Sequence, residues 1–245
     1  IGHHDEYDRM VDILARPSRP NILLVGDPGT GRETLVNHLA FKIGKDEVPS
    51  ELFDKRLVML QIGSLVSGAE MAELQKRINS IIEEIIQAGN IILYIPEVHN
   101  LVKTSARAGL NAADILFPAI SSSAFSVIGA TNPQEYKRSL EPQVDFVKSF
   151  ETINVEEISA EDATKLLVYD AIILERQYRI KITFGAVKES VMLASKYFRD
   201  KLLPTSAEDL LKEALSDAKG KGDKILSADD IIDIAQRRVS IPLRQ

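Results

Sequence analysis

Residues 21–25, NILLV, run straight into GDPGTGRE (26–33) and then into a helical pattern, LVNHLAFKI (35–43). An apolar run that breaks at a glycine-rich turn and re-enters as a helix is what a buried strand looks like when the next helix packs on its own sheet. The rhythm repeats at RLVMLQI (56–62), IILYI (91–95) and FSVIGA (125–130), and a shorter run, TINV, stands at 152–155. The four longer runs are too apolar to leave one face in water, which indicates a parallel sheet covered on both sides. Helical patterns fill the gaps. Within 70–88, Met71, Leu74, Ile78, Ile82 and Ile85 recur three and four residues apart, and AADILFPAI (112–120) precedes the fourth strand. The expected core is an α/β domain with a five-stranded parallel sheet between helices.

After EEIS (156–159) the strand pattern stops, and stretches 160–178, 186–198, 206–218 and 228–238 read as amphipathic helices. Ala163, Leu167, Ala171, Leu174 and Tyr178 make the apolar stripe of the first. Ser227 with Asp230 has the spacing of a capping box for the last, and KGKGDK (219–224) reads as a flexible connection. The chain therefore divides into a large α/β subdomain, 1–157, and a small helical subdomain, 158–245. It has 245 residues, 44% of them hydrophobic, and a formal charge of −6. Such a balance offers no basic face for nucleic acid. No cysteine is present, so thiolate metal sites and disulfides are excluded, and no apolar run reaches the roughly 20 residues that span a bilayer. No signal peptide is visible. The opening IGHHDEYDRM lacks an initiator Met and reads as part of a longer protein. His3 and His4 alone lack the spacing and partners of a metal site.

A glycine-rich loop between strand and helix can cradle phosphate on backbone N–H groups at the positive helix end. Gly26, Asp27, Pro28, Gly29, Thr30 and Gly31 match the first six positions of G-x-x-x-x-G-K-[ST]. The two residues that follow do not, since Arg32 stands for lysine and Glu33 for the hydroxyl residue. On the loop alone, a phosphate cradle and a tight glycine turn are equally good readings.

Further segments follow in a fixed order. IILYIPEVHNLV (91–102) is an apolar strand ending in Pro96-Glu97 where a nucleotide motif has Asp-Glu, and IGATNPQEY (128–136) carries a polar strand-end residue, Asn132. DKRLVMLQIGSLVSGA (54–69), DILFPAI (114–120) and LLPTSAEDLLKEA (202–214) complete the set. Together they resemble the AAA+ family, and within it the first ATPase domain of Clp/ClpB/ClpC-type protein unfoldases. The resemblance runs from IGHHDE to DDIIDIAQRRVSIPL and covers nearly the whole chain. It implies ATP or ADP with Mg²⁺ bound between an AAA+ α/β subdomain and a helical lid. It also implies protein partners, a homo-oligomeric, six-membered ring that pulls polypeptide through its pore, and a cytoplasmic setting. No nucleic-acid or membrane contact is expected of this fragment. The space at 219–227 is too short for a long coiled-coil insertion.

The departures from the family pattern fall on the chemistry. Arg32 keeps the charge of the loop lysine but brings a bulkier planar fork. Glu33 takes the place of the hydroxyl that holds Mg²⁺. A carboxylate roughly 4 Å from a phosphate charge is opposed by about 4 kcal/mol at an effective dielectric near 20, before screening. Two readings of Glu33 stand: it or a neighbouring acid pairs with Arg32 and partly replaces the missing phosphate, or Glu33 points to solvent as a first-turn acid favoured by the helix dipole. Pro96 removes the carboxylate that orients Mg²⁺, so Glu97, at the water-polarising position, lacks its metal-side partner. Asn132 takes the position that senses the γ-phosphate. In FVKSFETINVEE (146–157), Lys148 and Ser149 replace the two trans arginines. In LLPTSAEDL, Pro204 is kept, which the resemblance implies packs near an adenine, while Thr205 and Ser206 replace the usual Asp and Lys. At the pore loop, SGAEMAELQ (67–75) puts Glu70 and Met71 where the family presents an aromatic, although Met71 also reads as the first core residue of the next helix.

Three functions remain open: a pseudo-ATPase that scaffolds a ring, a slow working ATPase, and an interaction module that uses no nucleotide.

Overall fold

The computed structural model describes residues 2–18, 20–66, 71–103 and 112–239, with Val66 and Met71 described by backbone alone. Two compact units emerge. The first comprises His4–Asp27 and Gly31–Glu156; the second comprises the chain from Glu157 on, with residues 2–3 and the loop segment Pro28–Thr30.

In the first unit the order is α1 (His4–Leu14), β1 (Asn21–Val25), α2 (Arg32–Ile43), β2 (Arg56–Met59), α3 (Ile62–Val66), α4 (Met71–Ala88), β3 (Ile91–Ile95), α5 (His99–Lys103), α6 (Ala112–Ser121), β4 (Ser126–Thr131), α7 (Pro133–Glu135), α8 (Val144–Lys148) and β5 (Phe150–Asn154). A single-turn 3₁₀ helix (Ser50–Leu52) and a π turn (Tyr136–Leu140) interrupt the loops. The five strands form one parallel sheet in the order β2-β3-β4-β1-β5.

Successive residues of β1 point to opposite faces, so each half of NILLV feeds a different core. Ile22 and Leu24 join Met10, Ile13, Leu35 and Leu39 of α1 and α2. Leu23 and Val25 join Ile78, Ile85, Leu116 and Ile120 of α4 and α6. Both faces are dry, as the unbroken apolar runs require.

Several expected boundaries move. The second strand stops at Met59, because Ile62 and Leu65, three apart, turn inward together on α3. Nor is this strand dry. It is the sheet edge, with one neighbour, and Val58 and Met59 are exposed. The fourth strand begins one residue later, at Ser126, and the fifth two residues earlier, at Phe150. The pore-loop expectation on Glu70 falls outside the described residues. Met71 opens α4, and its side chain is likewise not described.

The second unit contains α9 (Ala160–Tyr178), β6 (Lys181–Ile182), α10 (Phe184–Tyr197), α11 (Thr205–Lys221), β7 (Ile225–Leu226) and α12 (Ala228–Val239). Ser159 caps α9 by accepting from the Asp162 N–H, and Thr183 caps α10 by accepting from the Ala186 N–H. Such caps are worth about 1 kcal/mol each. Asp230 accepts from both the N–H and the hydroxyl of Ser227, which fixes the entry to α12. The helices pack around Leu167, Leu174, Val191, Leu210, Leu215 and Ile231. The first half of the flexible connection expected at 219–224 is helix, since α11 continues through Gly220 to Lys221 and is capped by Gly222. Ala214, Leu215 and Ala218 are buried on that helix, and their packing outweighs the roughly 1 kcal/mol that an interior glycine costs. The two-residue parallel pair β6–β7 gave no sequence signal.

Asn21 holds the lower edge of the sheet. It is 3% exposed, accepts from the Val127 N–H at 2.9 Å and donates to Ile120 O and Ser149 O at 3.1 and 3.0 Å. Asn21→Leu fits the apolar surroundings but strands one donor and two acceptors. A loss of about 3 kcal/mol is expected from urea denaturation; a loss under about 1 kcal/mol contradicts this role.

Candidate functional site

In a parallel sheet all strand ends of one polarity share an edge. Here the carboxyl ends of β1, β3 and β4 do so, and each runs into a segment that the sequence marks. The Gly26 N–H donates to Thr131 O at 3.1 Å and ties the start of the glycine loop to the end of β4. Gly29 and Gly31 both have φ of 92°, a left-handed conformation that side chains disfavour and glycine accepts freely. Gly31 is also the residue from which α2 starts. Thr30, described with the second unit, is buried, and its carbonyl accepts from His3 Nε2 at 2.7 Å.

Arg32 opens α2, half-buried, and makes no hydrogen bond or ion pair among the described residues. Burial pulls its guanidinium below the ordinary value, while Tyr94, Asp27 and Glu97 around it push the other way. Glu33 is exposed, and it forms no ion pair with Arg32. Of the two readings of Glu33, the structure has the first-turn acid directed to solvent. It still lies within electrostatic reach of the Tyr94 hydroxyl.

Past β3 the chain turns through Pro96 and Glu97. Glu97 has φ of 55°, a left-handed backbone that costs a non-glycine residue about 1 kcal/mol or more. Three contacts enforce it. The Glu97 carbonyl accepts from the Asn100 N–H at 2.9 Å, its carboxylate accepts from Asn100 Nδ2 at 3.2 Å, and the Val98 N–H donates to Ala130 O at 2.9 Å. Val98 can approach β4 this closely because residue 129 is glycine: a Cβ there would stand 3.1 Å from Val98 Cγ1. Glu97 is therefore held at the strand end, exposed, on the same edge as Arg32.

Asn132 caps the short α7. Its Oδ1 accepts from the Glu135 N–H at 2.8 Å, leaving Nδ2 without an acceptor among the described residues. The cap thus fixes which end of the amide stays free to donate. Glu135 is held by Lys103 Nζ at 2.6 Å and by the Ser139 hydroxyl at 3.0 Å.

Lys148 does not join this edge. It ends α8, exposed, just before β5, whose first residue pairs with Asn21 at the opposite end of β1. Four residue steps of about 3.3 Å separate the two ends of β1. Pro204 stands half-buried in the second unit at the start of α11, next to Leu203, whose N–H donates to Glu157 Oε1 at 2.6 Å. Among the described residues no group of three or more His, Cys, Asp or Glu could hold a metal ion.

Two residues of this edge were not singled out from sequence. Tyr94 puts a hydroxyl into an otherwise aliphatic strand, which is the signal that could have found it. His99 follows Glu97 by two residues, is 5% exposed, and meets the Thr131 hydroxyl through Nδ1 at 3.0 Å. Burial first, then the positive charge of Lys103, hold its imidazole below the ordinary 6.5. The folded state therefore keeps His99 neutral, while the unfolded chain takes up a proton near the ordinary value. The stability that this contributes is complete above about pH 6.5 and is lost as pH falls below it. His38 is shifted the same way, by burial first and then by Lys42. In a His38→Gln background, His99→Gln is expected to flatten the fall in urea midpoint between about pH 7 and about pH 5. An unchanged slope contradicts the burial of a neutral imidazole.

Residues 22–154 match the model of the ATPase family associated with various cellular activities (AAA), and residues 159–241 match that of the AAA lid domain. The chain is 37% identical over 221 residues to the chaperone protein ClpB of Helicobacter hepaticus, covering 89% of this chain and 26% of that protein. It is 35% identical over 223 residues to the ATP-binding subunit ClpC of the ATP-dependent Clp protease of Staphylococcus epidermidis, covering 90% of this chain and 27% of that protein. It thus spans about a quarter of the length of these relatives. Among solved structures, Hsp104 in a closed state with ATPγS and FITC-casein superposes with a TM-score of 0.85 at 29% identity, over 99% of this chain and 42% of that one. The Saccharomyces cerevisiae Hsp104–ADP complex gives 0.84 at the same identity and coverage. The sheet order, the glycine loop and these matches agree, and the chain belongs to the AAA family, as a Clp-type domain with its lid.

Proposed function

We propose that this domain holds the phosphates of ATP or ADP weakly, turns ATP over slowly or not at all, and serves mainly in assembling a ring of like subunits in a protein-unfolding machine. The observation that carries the reading is the pairing of opposites at the start of α2. A half-buried Arg32, unpaired among the described residues, invites an anion, and an exposed Glu33 beside it repels one.

The phosphate-binding parts that support weak binding are the backbone at Gly29 and Gly31, the cation of Arg32 and the free amide of Asn132. ATP would supply the transferable phosphoryl group. Against turnover stand the missing metal-side groups, Glu33 for a hydroxyl and Pro96 for a carboxylate, because positioning and metal charge carry most of phosphoryl-transfer catalysis. Lys148, if it reaches a neighbour's site at all, does so as a point charge without the arginine fork. The names of the relatives, a chaperone and an ATP-binding subunit of a protease, support protein partners for the parent chain, and with them we propose a homo-oligomeric ring and a cytoplasmic setting. No helix among the described residues is long and apolar enough to cross a membrane.

One observation favours slow turnover over none: the carboxylate of Glu97 is held at the strand end by Asn100, on the edge that carries Arg32.

Isothermal titration with Mg-ATP tests the main reading. Because Glu33 is exposed, water screens much of its repulsion, and Glu33→Thr is expected to tighten binding about tenfold. Equal affinities in parent and variant contradict it. Steady-state phosphate release is expected near background and unchanged by Glu97→Gln; brisk release abolished by that substitution would establish a working ATPase instead.

A further inference from the structure

Tyr94 is 3% exposed, and its ring belongs to the apolar cluster with Ile22 and Leu24 of β1, Ile128 of β4 and Leu35 and Val36 of α2. Cross-strand register puts Tyr94 level with Ile128, and Ile128 level with Ile22, so the ring lies on the α2 face of the sheet, below the end of β1. Arg32 and Glu33, the first residues of α2, are its charged neighbours. Its hydroxyl makes no hydrogen bond among the described residues. The ring is buried, but its oxygen is not among the polar atoms sealed from solvent without a partner, so the O–H is open to a ligand at this edge. An apolar cluster of this composition is filled equally well by phenylalanine, so packing gives no reason for the oxygen.

We propose that the Tyr94 hydroxyl is a phosphate ligand of this loop, donating its hydrogen bond to the polyphosphate end of a nucleotide beside the Arg32 guanidinium. It supplies from β3 a neutral donor on the face of α2 where the residue at position 33 no longer offers a hydroxyl. Burial, then the Glu33 carboxylate, raise the phenol above its ordinary value, so it remains protonated and able to donate at neutral pH. A neutral O–H suits this place: Glu33 repels a bound phosphate but does not disturb a phenol. The proposal rests on the reading that the loop binds phosphate.

The test compares the parent chain with Tyr94→Phe, using ADP and inorganic pyrophosphate as probes in isothermal titration, with thermal melting alongside. Loss of a hydrogen bond to a charged group is expected to weaken both probes about tenfold or more. The melting temperature is expected to hold, since the hydroxyl bonds to no described residue and is not sealed from solvent. This divergence separates a ligand contact from a structural role, which would lower stability and affinity together. Full retention of both affinities in Tyr94→Phe overturns the assignment while leaving the phosphate reading intact. A parent chain that binds neither probe overturns both. As an independent readout, 3-fluorotyrosine incorporated into the parent should show one fluorine resonance that moves on adding pyrophosphate and is missing from Tyr94→Phe. Movement of other tyrosine resonances with that one fixed also overturns the assignment.

Discussion

The parallel pairing of β1 with β4 fixes what the rest of the first unit can do. β1 is buried along its whole length between β4 and β5, and its register with β4 runs from Ile22–Ile128 to Val25–Thr131. One bond past the register, from the Gly26 N–H to Thr131 O, sets the origin of the glycine loop. β3 is locked to β4 in turn, which brings Glu97 to the same edge. Asn21 fastens the other end. A slip of one residue in any of these strands would turn its buried side chains to the opposite face. The candidate site is thus a consequence of strand register, and its side chains are placed by rigid elements rather than by a loop searching for its shape.

On that edge the fields conflict. The start of α2 and the guanidinium of Arg32 are positive, Arg32 is partly withdrawn from water, and it has no ion-pair partner among the described residues. The acids nearby, Asp27, Glu33 and Glu97, are all exposed, where screening weakens them. Glu97 has a strained left-handed backbone and the Asn100 brace, and Pro96 and the exposed Glu33 stand where the proposed function puts the lost metal-side groups.

Much of this was legible from residues. β1 runs into the glycine loop and β3 into Pro96, and their expected limits match the structure: the loop glycines take left-handed backbone, and proline has no N–H for the ladder. The run from Arg56 to Ile62 misled, since an apolar string does not reveal where a period of two gives way to a helical period. KGKGDK misled in its first half only: buried Leu215 and Ala218 carry the helix past Gly220, and it stops at Gly222. At the site, the glycine loop, Glu97 and Asn132 stood out by order and spacing. Tyr94 and His99 did not, because what they contribute depends on neighbours across the sheet: Thr131 for the imidazole, and Arg32 with Glu33 for the phenol. That Lys148 belongs to the far end of the sheet was implicit in a parallel topology, where a residue just before a strand cannot share an edge with a residue just after one.

If phosphate attraction survives and metal coordination does not, the nucleotide should hardly notice magnesium. A fluorescent ADP analogue, titrated into the chain with excess Mg²⁺ and again with excess chelator, measures this directly. The account predicts binding constants that agree within about twofold. Binding that tightens tenfold or more with Mg²⁺ would mean that the site still holds its metal, with Glu33 the first residue to suspect as its ligand, and would contradict the account.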